Sequence, residues 1–176
     1  MNNTVDIKVG SFIRQWVIGT YGSDTIRLDK RTNLWAIVKQ NLDLLPADYH
    51  TLQDKEEYIS IELLYSHADN CYSIPAGKEI HINSIYRCYI SDSGQEAIKR
   101  YLENQFRAAF RIYMVACNRN DQKVKILNCI TSFLLDYNLP VDNKLLSRLM
   151  KDWYRYRQKN PENNALPIFF LVQLMS

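Results

Sequence analysis

The sequence predicts an α+β protein: a small N-terminal region of strands and helices over 1–90, a C-terminal three-helix, helix-turn-helix-like unit over 93–159, and a linker with an apolar tail over 160–176. Three observations carry this reading. Residues 5–9 alternate as V-D-I-K-V, the period-two pattern of a half-buried strand. The run S-G-Q-E at 93–96 has the form of a capping box ahead of a long stretch of helical periodicity. Residues 142–159 sort cations and apolar side chains into separate sectors of a helical wheel.

Each element follows in order. Gly10 ends the first strand, and Ser11 is the expected N-cap of a helix carrying Phe12, Ile13, Trp16, Val17 and Tyr21 before Gly22 stops it. Ile26 and Leu28 suit a short strand. Thr32 is placed to cap a second helix through Leu34, Trp35, Ile37, Val38, Leu42 and Leu45, with Pro46 closing it. The β-branched and aromatic run within 57–65 predicts a strand. Pro75, Ala76 and Gly77 mark a turn before two further strand candidates, 79–83 and 86–90.

In the C-terminal part, Ser93 is expected to accept from the Glu96 amide while Glu96 reaches back. The helix that follows, to about Cys117, puts Ile98, Leu102, Phe106, Ala109 and Tyr113 on one side, with Arg100, Arg107 and Arg111 opposite. A polar break at Asn118 to Asp121 separates it from a second helix, 122–136, carrying Val124, Leu127, Ile130 and Leu134, with Tyr137 continuing the pattern. Leu139 and Pro140 stop that helix, and Asp142 caps a third.

Composition bounds the class. The chain has 176 residues, of which 47% are hydrophobic, with 22 Lys and Arg against 19 Asp and Glu. This suits one or two globular domains that bury roughly 70% of the unfolded surface without metal or disulfides. With 5 Gly and 5 Pro, collagen-like and low-complexity classes are excluded. No apolar run reaches the ~18 residues of a membrane helix, and MNNTVDIKVG lacks the basic stretch and apolar core of a secretory signal, so a cytoplasmic chain with no membrane segment is expected.

Metal and enzyme chemistry find little support in the residue pattern. Cys71, Cys88, Cys117 and Cys129 form no C-x-x-C pair, and Cys117 and Cys129 sit in apolar helical patterns as small hydrophobes. A zinc site from His67, Cys71, His81 and Cys88 has no favouring spacing, and His50 stands apart. The acidic residues Asp54, Glu56, Glu57, Glu62, Asp69 and Glu79 show no spacing that would assemble a metal-dependent nuclease. Phosphate-loop, dinucleotide, nucleophile-elbow and zinc-protease signatures do not occur, so a non-enzymatic protein without cofactor is expected.

The charge map points elsewhere. Residues 141–159 hold six cations against Asp142 and Asp152, a net of +4 in a chain of net +3. On a helical wheel Lys144, Arg148, Lys151, Arg155 and Lys159 share a sector, with Leu145, Leu146, Leu149, Met150 and Trp153 opposing. Helix 122–136, the turn Tyr137 to Val141 and helix 142–158 have the order of a helix-turn-helix, which predicts a DNA-binding regulatory or accessory protein using the basic face of helix 142–158. Asn143, Lys144, Ser147 and Arg148 would sit near base edges, Lys151, Arg155 and Arg157 near phosphates, with Arg100, Arg107 and Arg111 in support. W-Y-R-Y-R at 153–157 interleaves rings and cations as single-strand binders do. The alternative is a protein-protein assembly module, in which the apolar tail 166–175 contacts a partner or a second copy by strand addition.

Overall fold

The structure is a computed structural model that describes residues 4–44, 56–63, 71–73, 79–81, 88–120 and 125–160. It is an α+β fold of five helices and short strands among the described residues. Two compact units divide it, Met1–Glu103 and Asn104–Ser176. The boundary falls inside the long helix that the sequence placed wholly in the C-terminal part.

The N-terminal unit is built on a three-stranded sheet. β1 (Thr4–Lys8) pairs antiparallel with β4 (Tyr58–Glu62), and β2 (Thr25–Arg27) runs parallel to β4 on its other side. The alternation read from the sequence is realised directly: Val5, Ile7 and Val9 are buried while Thr4, Asp6 and Lys8 face out, and Ile59, Ile61 and Ile26 complete the inner face. Ser60 donates to Asp6 across the pair at 2.6 Å, on the outer face.

α1 (Ser11–Tyr21) adds Ile13, Trp16 and Val17 to this core. Ser11 is its first helical residue and does not cap it. The cap position is Gly10, whose φ of 83° suits glycine and whose N–H donates to Glu57 O at 3.0 Å. The tie of Val9 and Gly10 to the turn before β4 fixes where the helix begins. At the other end Gly22 takes the left-handed conformation and its N–H reaches Ile18 O, as expected for a glycine stop. α2 (Asn33–Gln40) is capped by the Thr32 hydroxyl, which accepts from Trp35 N at 3.2 Å.

The second helix stops earlier than predicted. Leu42 and Leu44, read as helical, belong to β3 (Leu42–Leu44), which pairs antiparallel with β7 (Cys88–Ile90). A partner strand far along the chain outbids local periodicity here. β5 (Cys71–Ser73), which the sequence reading did not predict, pairs with β6 (Glu79–His81) as a separate two-stranded ladder. Leu45, Pro46, the 75–77 turn, the end of the 57–65 strand, and residues 82–83 and 86–87 lie outside the described residues.

α3 (Asp92–Asn120) also starts differently. Ser91, immediately after β7, is the residue that caps: its Oγ accepts from Gly94 N at 3.3 Å and its carbonyl from Gln95 N at 2.8 Å. Ser93 lies inside the helix, and Glu96 pairs with Lys99 and Arg100 instead of reaching back. Gly94 is required by space, since a Cβ there would come within 2.7 Å of Asn41 Cβ and 2.8 Å of Ile90 Cγ2. Gln95 donates to Ile90 O and accepts from Lys8 N, holding the first turn to the ends of two strands. The helix continues through Asn120, so Asn118–Asn120, expected as a break, is helical.

The C-terminal unit consists of the later part of α3 with α4 (Ile126–Asp136) and α5 (Asn143–Lys159). Its centre is Phe133, fully buried, with ring centroids 5.8 Å from Phe106, 5.3 Å from Phe110 and Tyr113, and 4.9 Å from Tyr137. Edge and tilted ring pairs of this kind add to the burial of area. Within this unit α3 buries Phe106, Phe110 and Met114. The wheel had put Ala109 and Tyr113 inward; both are half-buried, Tyr113 against Phe133, while the fully buried residues at this end are Phe110 and Met114. A row of every fourth residue drifts by roughly 40° per step, and the ring cluster around Phe133 selects that row. On α4, Cys129, Ile130 and Leu134 join the core, but Leu127 is 46% exposed; Val124 lies outside the described residues.

α4 ends without glycine. Asn138 takes φ 52° and donates to Leu135 O, while Leu139 N donates to Leu134 O at 2.7 Å. This is a Schellman arrangement with asparagine in the left-handed position, and Leu139 buried beyond it. Asp142 then caps α5, its carboxylate accepting from Leu145 N at 2.8 Å.

Candidate nucleic-acid interface

The wheel reading of α5 holds at its inner face, where Leu145, Leu149 and Trp153 are buried and Leu146 and Met150 half-buried. Lys144, Arg148, Lys151, Arg155 and Lys159 are all exposed, as are Asn143 and Ser147. At 3.6 residues per turn this basic row lies roughly 120° from the buried row, so it flanks the packed face and does not directly oppose it. The row runs for about 22 Å along the helix. Arg157 is half-buried on the other flank.

None of the five row side chains makes an ion pair or hydrogen bond among the described residues. The reason is the fate of the two carboxylates nearby. Asp142 is turned onto the helix amide of Leu145, and Asp152 is turned inward onto Arg111. Cations three or four residues apart therefore face one another without an acid between them, an arrangement that costs a few tenths of a kcal/mol per pair. Lys159 is favoured by the helix C-terminus, but Lys144 sits in the first turn, where the dipole opposes it. Local helix stability does not account for the row.

Arg111 is placed otherwise than the wheel implied. Its Nη2 and Nε donate to the two oxygens of Asp152 at 2.8 and 3.1 Å, and its guanidinium lies over the Tyr156 ring, 5.0 Å from the centroid. Tyr156 in turn stacks on Trp153 at 5.8 Å. The fork of Arg111 thus joins α3 to α5 in a two-point contact typical of Arg and carboxylate. Arg107 is exposed and donates to Asn104 at 3.5 Å. Arg100 belongs to the N-terminal unit and pairs with Glu96 at 3.5 Å. The three arginines are therefore in three different settings.

Tyr154 was legible in the sequence only as part of the run W-Y-R-Y-R at 153–157, with no role of its own. It is 47% exposed, with no ring contact among the described residues, three positions after Lys151 and three before Arg157. Its wheel position, outside both the buried and the basic sectors, was the signal available. For Asp152 the signal was its being the one acid within Asn143–Lys159.

The α3–α4 pairing in the same unit holds a small set of titrating groups. The Tyr113 hydroxyl donates to Asp136 at 3.0 Å, and its phenol is pushed up to about 12, first by burial and then by that carboxylate. The Cys117 thiol is pushed up to about 11 by burial and then by its neighbour Cys129. That thiol is held protonated at neutral pH, the inert state of a packed cysteine.

Elsewhere, Glu57 pairs with Lys8 at 3.1 Å and Glu62 with Arg27 at 3.7 Å. Asp54, Asp69, His50 and His67 lie outside the described residues, and for Cys71, Glu79, His81 and Cys88 only the backbone is described. Among the described residues no three His, Cys, Asp or Glu side chains gather as a metal site, and no helix is long and apolar enough to cross a membrane. The connection from α4 to α5, Tyr137–Asp142, is longer than the three to four residues of a helix-turn-helix turn. No family model matches this chain, nor does any curated protein or solved structure.

Proposed function

We propose that the C-terminal unit binds nucleic acid through the exposed face of α5, as part of a non-enzymatic DNA-binding regulatory or accessory protein. The observation that carries this reading is the row Lys144, Arg148, Lys151, Arg155 and Lys159, exposed and, among the described residues, without acidic partners, because Asp142 and Asp152 are engaged elsewhere. A row of mutually repelling cations is stabilised by a polyanion, whose bound counterions are released on contact. Asn143 and Ser147, exposed in the first turns, are suited to base or sugar contacts, and Arg107 supplies a further cation. Arg111 acts from behind, by holding α5 against α3. The longer connection makes a strict helix-turn-helix docking a weaker basis than the charge row itself.

The test is binding of the purified chain to labelled duplex and single-stranded oligonucleotides across a salt series. Engagement of the whole row on duplex predicts a slope of log K against log salt of about −4.5, and Arg148→Ala with Lys151→Ala should flatten it by about 2. Absence of binding at low salt would defeat the reading. A second reading, self-assembly, is favoured by Leu135 at 60% exposure and Val141 at 44% near the α4–α5 connection. The tail 166–175, to which assembly was first ascribed, lies outside the described residues. A concentration-dependent molar mass that Leu135→Glu abolishes would support it.

A further inference from the structure

Among the aromatic residues of α5, the fold separates those that build the unit from one that does not. Trp153 is buried, and Tyr156 is held between Trp153 and the Arg111 guanidinium. Tyr154 is the aromatic residue of this helix that is exposed and has no ring neighbour among the described residues. On the helix surface, positions three and four apart are neighbours, which places Lys151 and Arg157 at three residues on either side of Tyr154 and Gln158 at four. Half-buried Met150 lies four residues before it. The Tyr154 ring therefore stands beside the basic row, with cations on both sides and an apolar wall at its base.

From this we infer that the ligand of α5 is a single-stranded nucleic acid, with Tyr154 as the platform on which a base stacks while Lys151, Arg155 and Lys159 hold the adjoining phosphates. The inference rests on the nucleic-acid reading and narrows it. A flat ring flanked by cations matches the pairing of π-face and backbone that single strands offer; in a duplex the bases are already stacked on one another and offer only their edges. Lys151 and Arg155 alone would bind either form, so the ring is the discriminating group.

The experiment is fluorescence anisotropy with a labelled oligothymidylate and a labelled duplex of equal length, on the full chain and on Tyr154→Ala, Tyr154→Phe, Tyr154→Leu and Arg148→Ala/Lys151→Ala. Thermal melts accompany each variant, and because Tyr154 is exposed its substitutions should leave the melts unchanged. Stacking predicts that Tyr154→Ala loses roughly tenfold in single-strand affinity, that Phe retains it and Leu does not, and that duplex affinity is unaltered. Unchanged single-strand binding in Tyr154→Ala, full retention by Leu, or an equal loss on duplex would each overturn the stacking role. If the double alanine variant weakens binding while Tyr154→Ala does not, only this inference falls. If the double variant binds both oligonucleotides as tightly as the parent chain, the nucleic-acid face of α5 falls with it.

Discussion

The N-terminal and C-terminal units contain eleven Lys and Arg each, yet their net charges are −3 and +6, because the first holds fourteen Asp and Glu and the second five. The second unit is the shorter, so its cations are somewhat denser, but the larger difference is its shortage of acids. The pairing pattern follows. In the first unit Lys8, Arg14, Arg27, Lys99 and Arg100 each meet a carboxylate. In the second, Arg111 takes Asp152 and the outer row of α5 meets no carboxylate among the described residues. Most of the paired side chains are exposed and contribute little to stability individually. The difference matters for what each surface attracts, since an uncompensated row of one sign steers a polyanion and a mixed surface does not.

Four measurements would break or sharpen this contrast. The largest effect is expected at Phe133, around which the helical unit is organised: Phe133→Ala should cost about 3–5 kcal/mol in urea unfolding, and a cost below ~1 kcal/mol would mean the ring cluster does not hold the unit together. Gly94→Ala probes the sheet unit. The added Cβ meets Asn41 Cβ and Ile90 Cγ2, neither at the end of a long flexible chain, so a loss of about 1–3 kcal/mol is expected. A neutral result would show that the strand-to-helix corner yields easily.

Asp152→Asn tests the inward pairing. Both partners are about one third exposed, so the stability loss should be modest, about 1 kcal/mol, while affinity for oligonucleotides at low salt should rise because one acid is removed beside the row. A fall in affinity at unchanged fold would instead place Asp152 in ligand contact.

The smallest effect is in pH. The folded Tyr113 phenol is pushed up to about 12 from the ordinary tyrosine value of 10.0, so the folded state favours the protonated form. Its contribution is intact below pH 10 and is lost as pH rises from 10 towards 12. Tyr113→Phe should lose less stability than the parent chain over that interval. Parallel declines would remove Tyr113 as a cause.

What the sequence determined by itself is whatever depends on neighbours within about one helical turn or on strict alternation. The β1 alternation of Val5, Ile7 and Val9, the Thr32 cap and the Gly22 stop were legible, as were the buried row Leu145, Leu149 and Trp153 and the cation row beside it. These features are set by backbone geometry that each segment carries with it. Tertiary structure decided the rest. Leu42 and Leu44 became a strand because β7 offers them a ladder from more than forty residues away, and Ser91 rather than Ser93 capped α3 because β7 ends there. Arg111 left the solvent face because Asp152 and Tyr156, on another helix, supply a partner that no wheel drawn on α3 alone contains. Local periodicity fixes which side chains share a face, but the element packed opposite fixes which face is inside, and that information is not local.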